Sequence, residues 1–176
     1  TSGSTGSPKM VKLTKENLQA NALSISQFLK LNKQEKAITS LPLHYSYGLS
    51  VLNSHLLVGA TVLLTNHSVV TKSFWDFFKV EKASSFAGVP YTYEMLRKLK
   101  FFKMDLPSIR YMTQAGGKLN PKLVQEYAKF SKESGFEFYV MYGQTEASPR
   151  MSILKWKFIE RKISQQNDCS WRRTRY

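Results

Sequence analysis

The chain has little of what disulfide scaffolds and metal centres are built from. Its 176 residues include one cysteine, Cys169, and three histidines, His44, His55 and His67. A lone cysteine excludes an internal disulfide and a cysteine zinc site, and it fits a reducing compartment such as the cytoplasm. The three histidines share no ligand spacing, so no metal site is assigned to them. His44 reads as a half-buried structural residue rather than a base. No apolar run is long enough to cross a bilayer and no signal peptide is visible, so a cytoplasmic protein without a membrane span is expected. Acidic residues are scarce: 12 Asp+Glu stand against 26 Lys+Arg, for a formal net charge of +14. Such a surface attracts nucleic acid, anionic membrane or phosphate ligands. The lysines are scattered, however, and no recognised nucleic-acid module occurs. A solvated basic surface without a specific nucleic-acid partner is therefore the favoured reading.

What is present suits one soluble domain. Hydrophobic residues make up 42% of the chain and charged residues 22%, which are globular values. The first nine residues, Thr1-Ser2-Gly3-Ser4-Thr5-Gly6-Ser7-Pro8-Lys9, combine hydroxyls, glycines and a lysine. Glycine lets backbone N–H groups approach an oxyanion, hydroxyls add donors, and lysine adds a compact charge. The composition also fits a flexible linker. Its order favours a phosphate-gripping loop, because Pro8-Lys9 closes the polar run and Met10–Leu13 then alternates like a short strand. A Walker loop is excluded, since Gly117-Lys118 is followed by Leu119. A gripping loop normally follows a strand that aims it. None precedes Thr1, so the sequence reads as a piece of a larger protein.

Strand and helix signals then alternate. Thr14 with Asn17 marks a helix start, followed by Leu18, Ala22, Ile25 and Leu29 at helical spacing. Strands are predicted at 37–41, 60–65, 83–88, 109–115 and 136–142. Helices are predicted at 49–58, 74–80, 91–99 and 121–134, the first of them apolar nearly all round and so buried. This order predicts an α/β fold: a mostly parallel sheet with helices on both faces. Ligands bind beyond the carboxyl ends of such strands. Three glycine-bearing segments fall there: Gly88-Val89-Pro90, Gln114-Ala115-Gly116-Gly117 and Tyr142-Gly143-Gln144-Thr145-Glu146.

The last segment carries the most chemistry. Tyr142 offers a ring face for a flat base, and Gly143 lets the chain turn. Thr145 can donate to a phosphate oxygen, and Glu146 supplies a hard oxygen for Mg²⁺. Taken separately, a Tyr-Gly turn is common and Thr-x-Glu can simply start a helix.

Together these segments resemble the AMP-dependent synthetase and ligase family of adenylate-forming enzymes. Residues 1–9 resemble its phosphate signature and Tyr142–Glu146 its Tyr-Gly-x-Thr-Glu signature. Leu41-Pro42-Leu43 with Gly48, Phe86–Pro90 and Ala115–Gly117 resemble three further loops in the right order. The resemblance covers residues 1–152, read as a partial AMP-binding domain. It implies that a carboxylate attacks the α-phosphate of MgATP, giving an acyl-adenylate and pyrophosphate. CoA or a carrier protein's phosphopantetheine usually accepts the acyl group next. By motif position, Thr1, Ser2, Gly3, Ser4, Thr5, Gly6 and Lys9 would hold the β- and γ-phosphates. Tyr142 would stack on adenine, with Gly116 and Gly117 shaping its pocket. Thr145 would touch the α-phosphate and Glu146 would hold Mg²⁺. Tyr45 and Gly48 would line the acid's pocket, although Tyr45 stands where many acyl-CoA synthetases carry histidine.

The resemblance also implies segments with no counterpart here: a ribose-binding aspartate, a following arginine, a hinge and a C-terminal catalytic lysine. The chain as written is therefore not expected to complete adenylation. Residues 153–176 read as a basic, non-family tail. One account of the tail is a poorly ordered terminus. Another is a shift of reading frame, because codons for Cys169–Tyr176 moved by one base are compatible with a Pro-Gly-Gly-Glu turn of the kind the family carries. Two other classes of function are weighed against the ligase: a noncatalytic nucleotide- or nucleic-acid-binding module using the basic surface, and a structural fragment with no ligand.

Overall fold

The computed structural model describes residues 10–155. The first helix, α1 (Lys15–Phe28), starts at a reciprocal cap. The Thr14 hydroxyl accepts from the Asn17 N–H at 3.1 Å, and the Asn17 carboxamide oxygen accepts from the Thr14 N–H at 3.3 Å. Each side chain satisfies a backbone donor that the helix itself leaves unpaired. Met10–Leu13 is not the expected strand. Met10 is fully exposed, and alternating polarity makes a strand only where a ladder partner exists.

Five parallel strands follow: β1 (Lys36–Ile38), β2 (Thr61–Leu63), β3 (Ser85–Gly88), β4 (Tyr111–Gln114) and β5 (Glu137–Tyr142). The last strand among the described residues, β6 (Ser152–Lys155), is antiparallel to β5, and the sheet order is β2-β1-β3-β4-β5-β6. The helices between them are α2 (Ser46–Leu57), α3 (Lys72–Val80), α4 (Pro90–Lys98) and α5 (Pro121–Ser134). The predicted α/β class and strand–helix alternation are thus observed. β1 stops short of Leu41 because Thr39 and Ser40 turn their hydroxyls to neighbouring backbone. Thr39 Oγ1 accepts from the Thr65 N–H at 2.9 Å, and the Ser40 hydroxyl donates to the Ala87 carbonyl. β6 crosses the expected boundary at 152/153. The rest of the expected tail, residues 156–176, lies outside the described residues.

The strand pleat divides the core. Phe86, Met112 and Phe138 pack with Phe74, Phe78, Tyr93, Leu96, Leu123 and Tyr127 of α3, α4 and α5. Their neighbours Ala87, Tyr111 and Tyr139 face Ile25 of α1, Leu29 just after it and Tyr47 of α2 on the other side. A period of two, with both sheet faces covered, requires this division.

The expectation that α2 is buried nearly all round is corrected. Its buried residues are Tyr47, Gly48, Ser50, Ser54 and His55, while Leu49, Leu56 and Leu57 are exposed. The inner face is the polar one because it meets polar partners. His55, 1% exposed, places Nδ1 2.7 Å from the Val51 carbonyl and Nε2 2.8 Å from the Tyr111 hydroxyl. A carbonyl can only accept, so Nδ1 carries the proton and Nε2 accepts from Tyr111.

This histidine gives the fold an acid limit. Burial, reinforced by Arg150 and Arg110, pushes the His55 pKa from 6.5 down to about 4. Between those values the unfolded chain binds a proton that the folded chain excludes, so stability falls as pH drops. The loss across that window is about 3 kcal/mol. Urea unfolding of the full chain at pH 7 and pH 5 should show this slope, and a His55→Gln variant should show a flatter one.

Candidate functional site

Because β1, β3, β4 and β5 run parallel, the loops leaving them share one rim. Side chains lock that rim from below. The Tyr93 hydroxyl donates to the Thr113 carbonyl at 2.7 Å, and the Tyr47 hydroxyl lies 2.6 Å from the Thr113 hydroxyl. Helices on opposite faces of the sheet are thus tied to one residue of β4. Burial pushes the Tyr47 phenol up to about 12, so it stays protonated as a donor.

The loop after β1 folds back over α2. The Tyr45 N–H donates to the Pro42 carbonyl at 3.1 Å. A Cβ on the buried Gly48 would collide with that same carbonyl oxygen. The collision would be with backbone, which cannot swing aside as a side chain can. Pro42 to Gly48 is therefore one tight unit that presents Tyr45. The Tyr45 ring packs edge-on to Tyr47 at 6.3 Å and is half-buried, and desolvation raises its pKa. His44 is exposed, not half-buried as its sequence context suggested, because the turn at Pro42–Tyr45 points it away from the core. An apolar crevice beside this unit is lined by Ile38, Leu41, Leu43, Gly48, Val51 and Ala87.

The loop after β4 meets the Tyr45 unit. Buried Gln114 donates through Nε2 to the Gly117 carbonyl at 2.9 Å, which curls the segment. Gly116 is exposed with φ +82°, a conformation that L side chains adopt only with strain. A Cβ there would also collide with the Tyr45 hydroxyl. Gly117 lies beside Pro90, the first residue of α4.

The loop after β5 completes the rim. Tyr142 ends the strand 50% exposed. A 3-10 turn at Thr145–Ala147 follows, with Thr145 half-buried and Glu146 exposed. The Thr145 hydroxyl lies 3.1 Å from the hydroxyl of Ser46, the first residue of α2. Thr145, Tyr45, Gly48, Gly116 and Gly117 are thus joined by a chain of contacts, with Tyr142 and Glu146 on the same loop as Thr145. Thr1, Ser2, Gly3, Ser4, Thr5, Gly6 and Lys9 lie outside the described residues.

Two contributors escaped sequence reasoning. Ser46 carries no signal beyond its place next to Tyr45. Arg150 looks like a surface arginine but is only 7% exposed. Its guanidinium donates to the Ser50 carbonyl at 2.7 Å and to the Ser54 hydroxyl at 3.1 Å, and it lies 5.7 Å from the Tyr47 ring centroid. Burial lowers its pKa. Together with the Asn21 carboxamide, which donates to the Pro149 carbonyl at 2.7 Å, it pins the 143–150 loop to α1 and α2. Among the described residues, no group of His, Cys, Asp or Glu is arranged to hold a metal ion by itself.

Comparison with known proteins agrees with this architecture. The profile of the AMP-binding enzyme family matches residues 1–171. The chain belongs to that family. It is 31% identical to a feruloyl-CoA synthase of an Amycolatopsis species over 166 residues, covering 93% of this chain and 33% of that protein. It is 32% identical to the mouse mitochondrial medium-chain acyl-CoA ligase ACSF2 over 156 residues, covering 85% of this chain and 25% of that protein. The structure matches o-succinylbenzoate CoA synthetase of Bacillus subtilis in complex with its acyl-adenylate intermediate. That match has a TM-score of 0.79 and 28% identity, and it covers 93% of this chain and 32% of the other. The same enzyme in complex with ATP and magnesium ion gives a TM-score of 0.76 at 27% identity, over 90% of this chain and 32% of the other. The chain thus spans between a quarter and a third of the length of these relatives. These relatives are ligases and synthetases, and they lend no support to a noncatalytic nucleic-acid module. Among the described residues, no helix is long and apolar enough to cross a membrane.

The tight unit from Pro42 to Gly48 yields a stability prediction. Gly48→Ala should destabilise the chain by about 2 kcal/mol through overpacking. Leu56→Ala, on the exposed side of the same helix, should change stability by less than about 0.5 kcal/mol. Chemical denaturation of both variants checks the contrast.

Proposed function

We propose that this chain is part of an ATP-dependent, carboxylate-activating ligase and supplies one wall of its nucleotide site. The reaction joins a carboxylate to the α-phosphate of ATP and releases pyrophosphate. CoA, or a carrier protein's phosphopantetheine, then accepts the acyl group. The observation that carries this reading is the convergence of Thr145, Tyr45 and Gly116 at the carboxyl ends of parallel strands, with Tyr142 and Glu146 on the Thr145 loop.

The residues present suit a magnesium nucleotide. Tyr142 exposes half of its surface at a strand end, as stacking on adenine requires. The exposed backbone of Gly116 and Gly117 admits a flat base edge without side-chain obstruction. The Thr145 hydroxyl donates to the α-phosphate, and the exposed Glu146 carboxylate supplies an oxygen to Mg²⁺. Magnesium neutralises phosphate charge when bound. The protein's own part is to orient the nucleotide and to hold donors where charge develops. Tyr45 and Gly48 face the acid, and the apolar crevice beside Gly48 offers it a lining. Thr1–Lys9 complete the reading as the grip on the β- and γ-phosphates.

Calorimetric titration of the full chain with AMP and with MgATP tests this. Tyr142→Ala should weaken AMP binding about tenfold through lost stacking. Glu146→Gln should abolish the gain in ATP affinity that magnesium brings while leaving AMP affinity unchanged. A wild-type chain that binds neither nucleotide would refute the assignment.

A further inference from the structure

We propose that Ser46 is a binding residue of the nucleotide site, acting with Thr145 as a paired hydroxyl donor to the α-phosphoryl oxygen. This rests on the nucleotide reading above and adds to it a residue that no motif singles out. The two hydroxyls stand 3.1 Å apart, both half-buried, and come from segments 99 residues apart. Among the described residues neither hydroxyl makes another hydrogen bond.

The donor count carries the argument. Two hydroxyls hold two protons, and their mutual hydrogen bond uses one. Whichever hydroxyl donates within the pair, the other keeps a proton to give outward. That remaining donor sits on an oxygen that already accepts a hydrogen bond, which polarises it toward stronger donation. The fitting acceptor is an anionic oxygen, because charge-assisted hydrogen bonds are the shorter and stronger class. The pair sits where the Tyr45 unit, locked by Pro42 and Gly48, meets the turn that carries Glu146. A phosphoryl oxygen beside a magnesium-binding carboxylate is the acceptor that this position serves. Ser46 also fixes the rotor of the Thr145 hydroxyl, which would otherwise choose among staggered wells.

Calorimetry with the full chain separates this role from a structural one by comparing AMP with adenosine, which lacks the phosphate. Ser46→Ala should weaken AMP binding about fivefold, because Thr145 keeps its proton but loses its polarising partner and its fixed rotor, and should leave adenosine binding unchanged. Ser46→Thr should restore AMP affinity. In a Thr145→Ala background, Ser46→Ala should cost little more, because the pair acts as one donor. Unchanged AMP affinity in Ser46→Ala, or equal losses for AMP and adenosine, overturns the role of Ser46. If wild type meanwhile binds AMP and Tyr142→Ala weakens it, the nucleotide reading survives that result. A wild-type chain that binds no AMP overturns both.

Discussion

The rim depends on Thr113. This one residue of the central strand β4 receives the hydroxyls of Tyr47 and Tyr93 from helices on opposite faces of the sheet. Buried phenols require such partners, and both rings are almost wholly buried. Their shared anchor sets the heights of α2 and α4 relative to β4. Those two helices begin at Tyr45–Ser46 and at Val89–Pro90, which are the loop ends flanking Gly116 and Gly117. The spacing of the site is therefore a property of the hydrophobic core. That is the kind of preorganisation that lets a protein act by positioning, with little covalent work of its own.

Charge inside the domain is handled differently at its two ends. At the amino ends of the strands, the buried carboxylate of Glu35 pairs with Arg110 at 2.5 Å and accepts from Ser84 at 2.6 Å. Near the rim, Arg150 is buried against a carbonyl, a serine hydroxyl and an aromatic face, with no carboxylate among those partners. Burying a cation on neutral acceptors is costly. The same cation disfavours an imidazolium at His55, so the clamp and the neutral histidine are electrostatically consistent.

The sequence made the architecture readable because local signals and tertiary packing agree. The Thr14–Asn17 cap, the apolar strand runs and the glycine-bearing strand ends each act within a few residues. The strand expected at Met10–Leu13 failed because pattern alone supplies no ladder partner. β6, Ser152–Lys155 at the edge of the described sheet, went unread because the segment reads as the start of the basic tail. The inner face of α2 was misread because hydrophobicity stood in for burial, whereas Ser50 and Ser54 are buried by an arginine about a hundred positions away. The residue types of the candidate site were legible as motifs. The meeting of Ser46 with Thr145 was not, since neither neighbourhood in the sequence mentions the other.

The inverted polarity of α2 also bears on how this chain can be altered. In most amphipathic helices the leucines are the constrained positions and the serines the permissive ones. Here Ser50 and Ser54 fill narrow space beneath Arg150, while Leu49, Leu56 and Leu57 face outward. An engineer seeking a more soluble version of this chain would leave the serines alone and recolour the leucines, against the usual instinct.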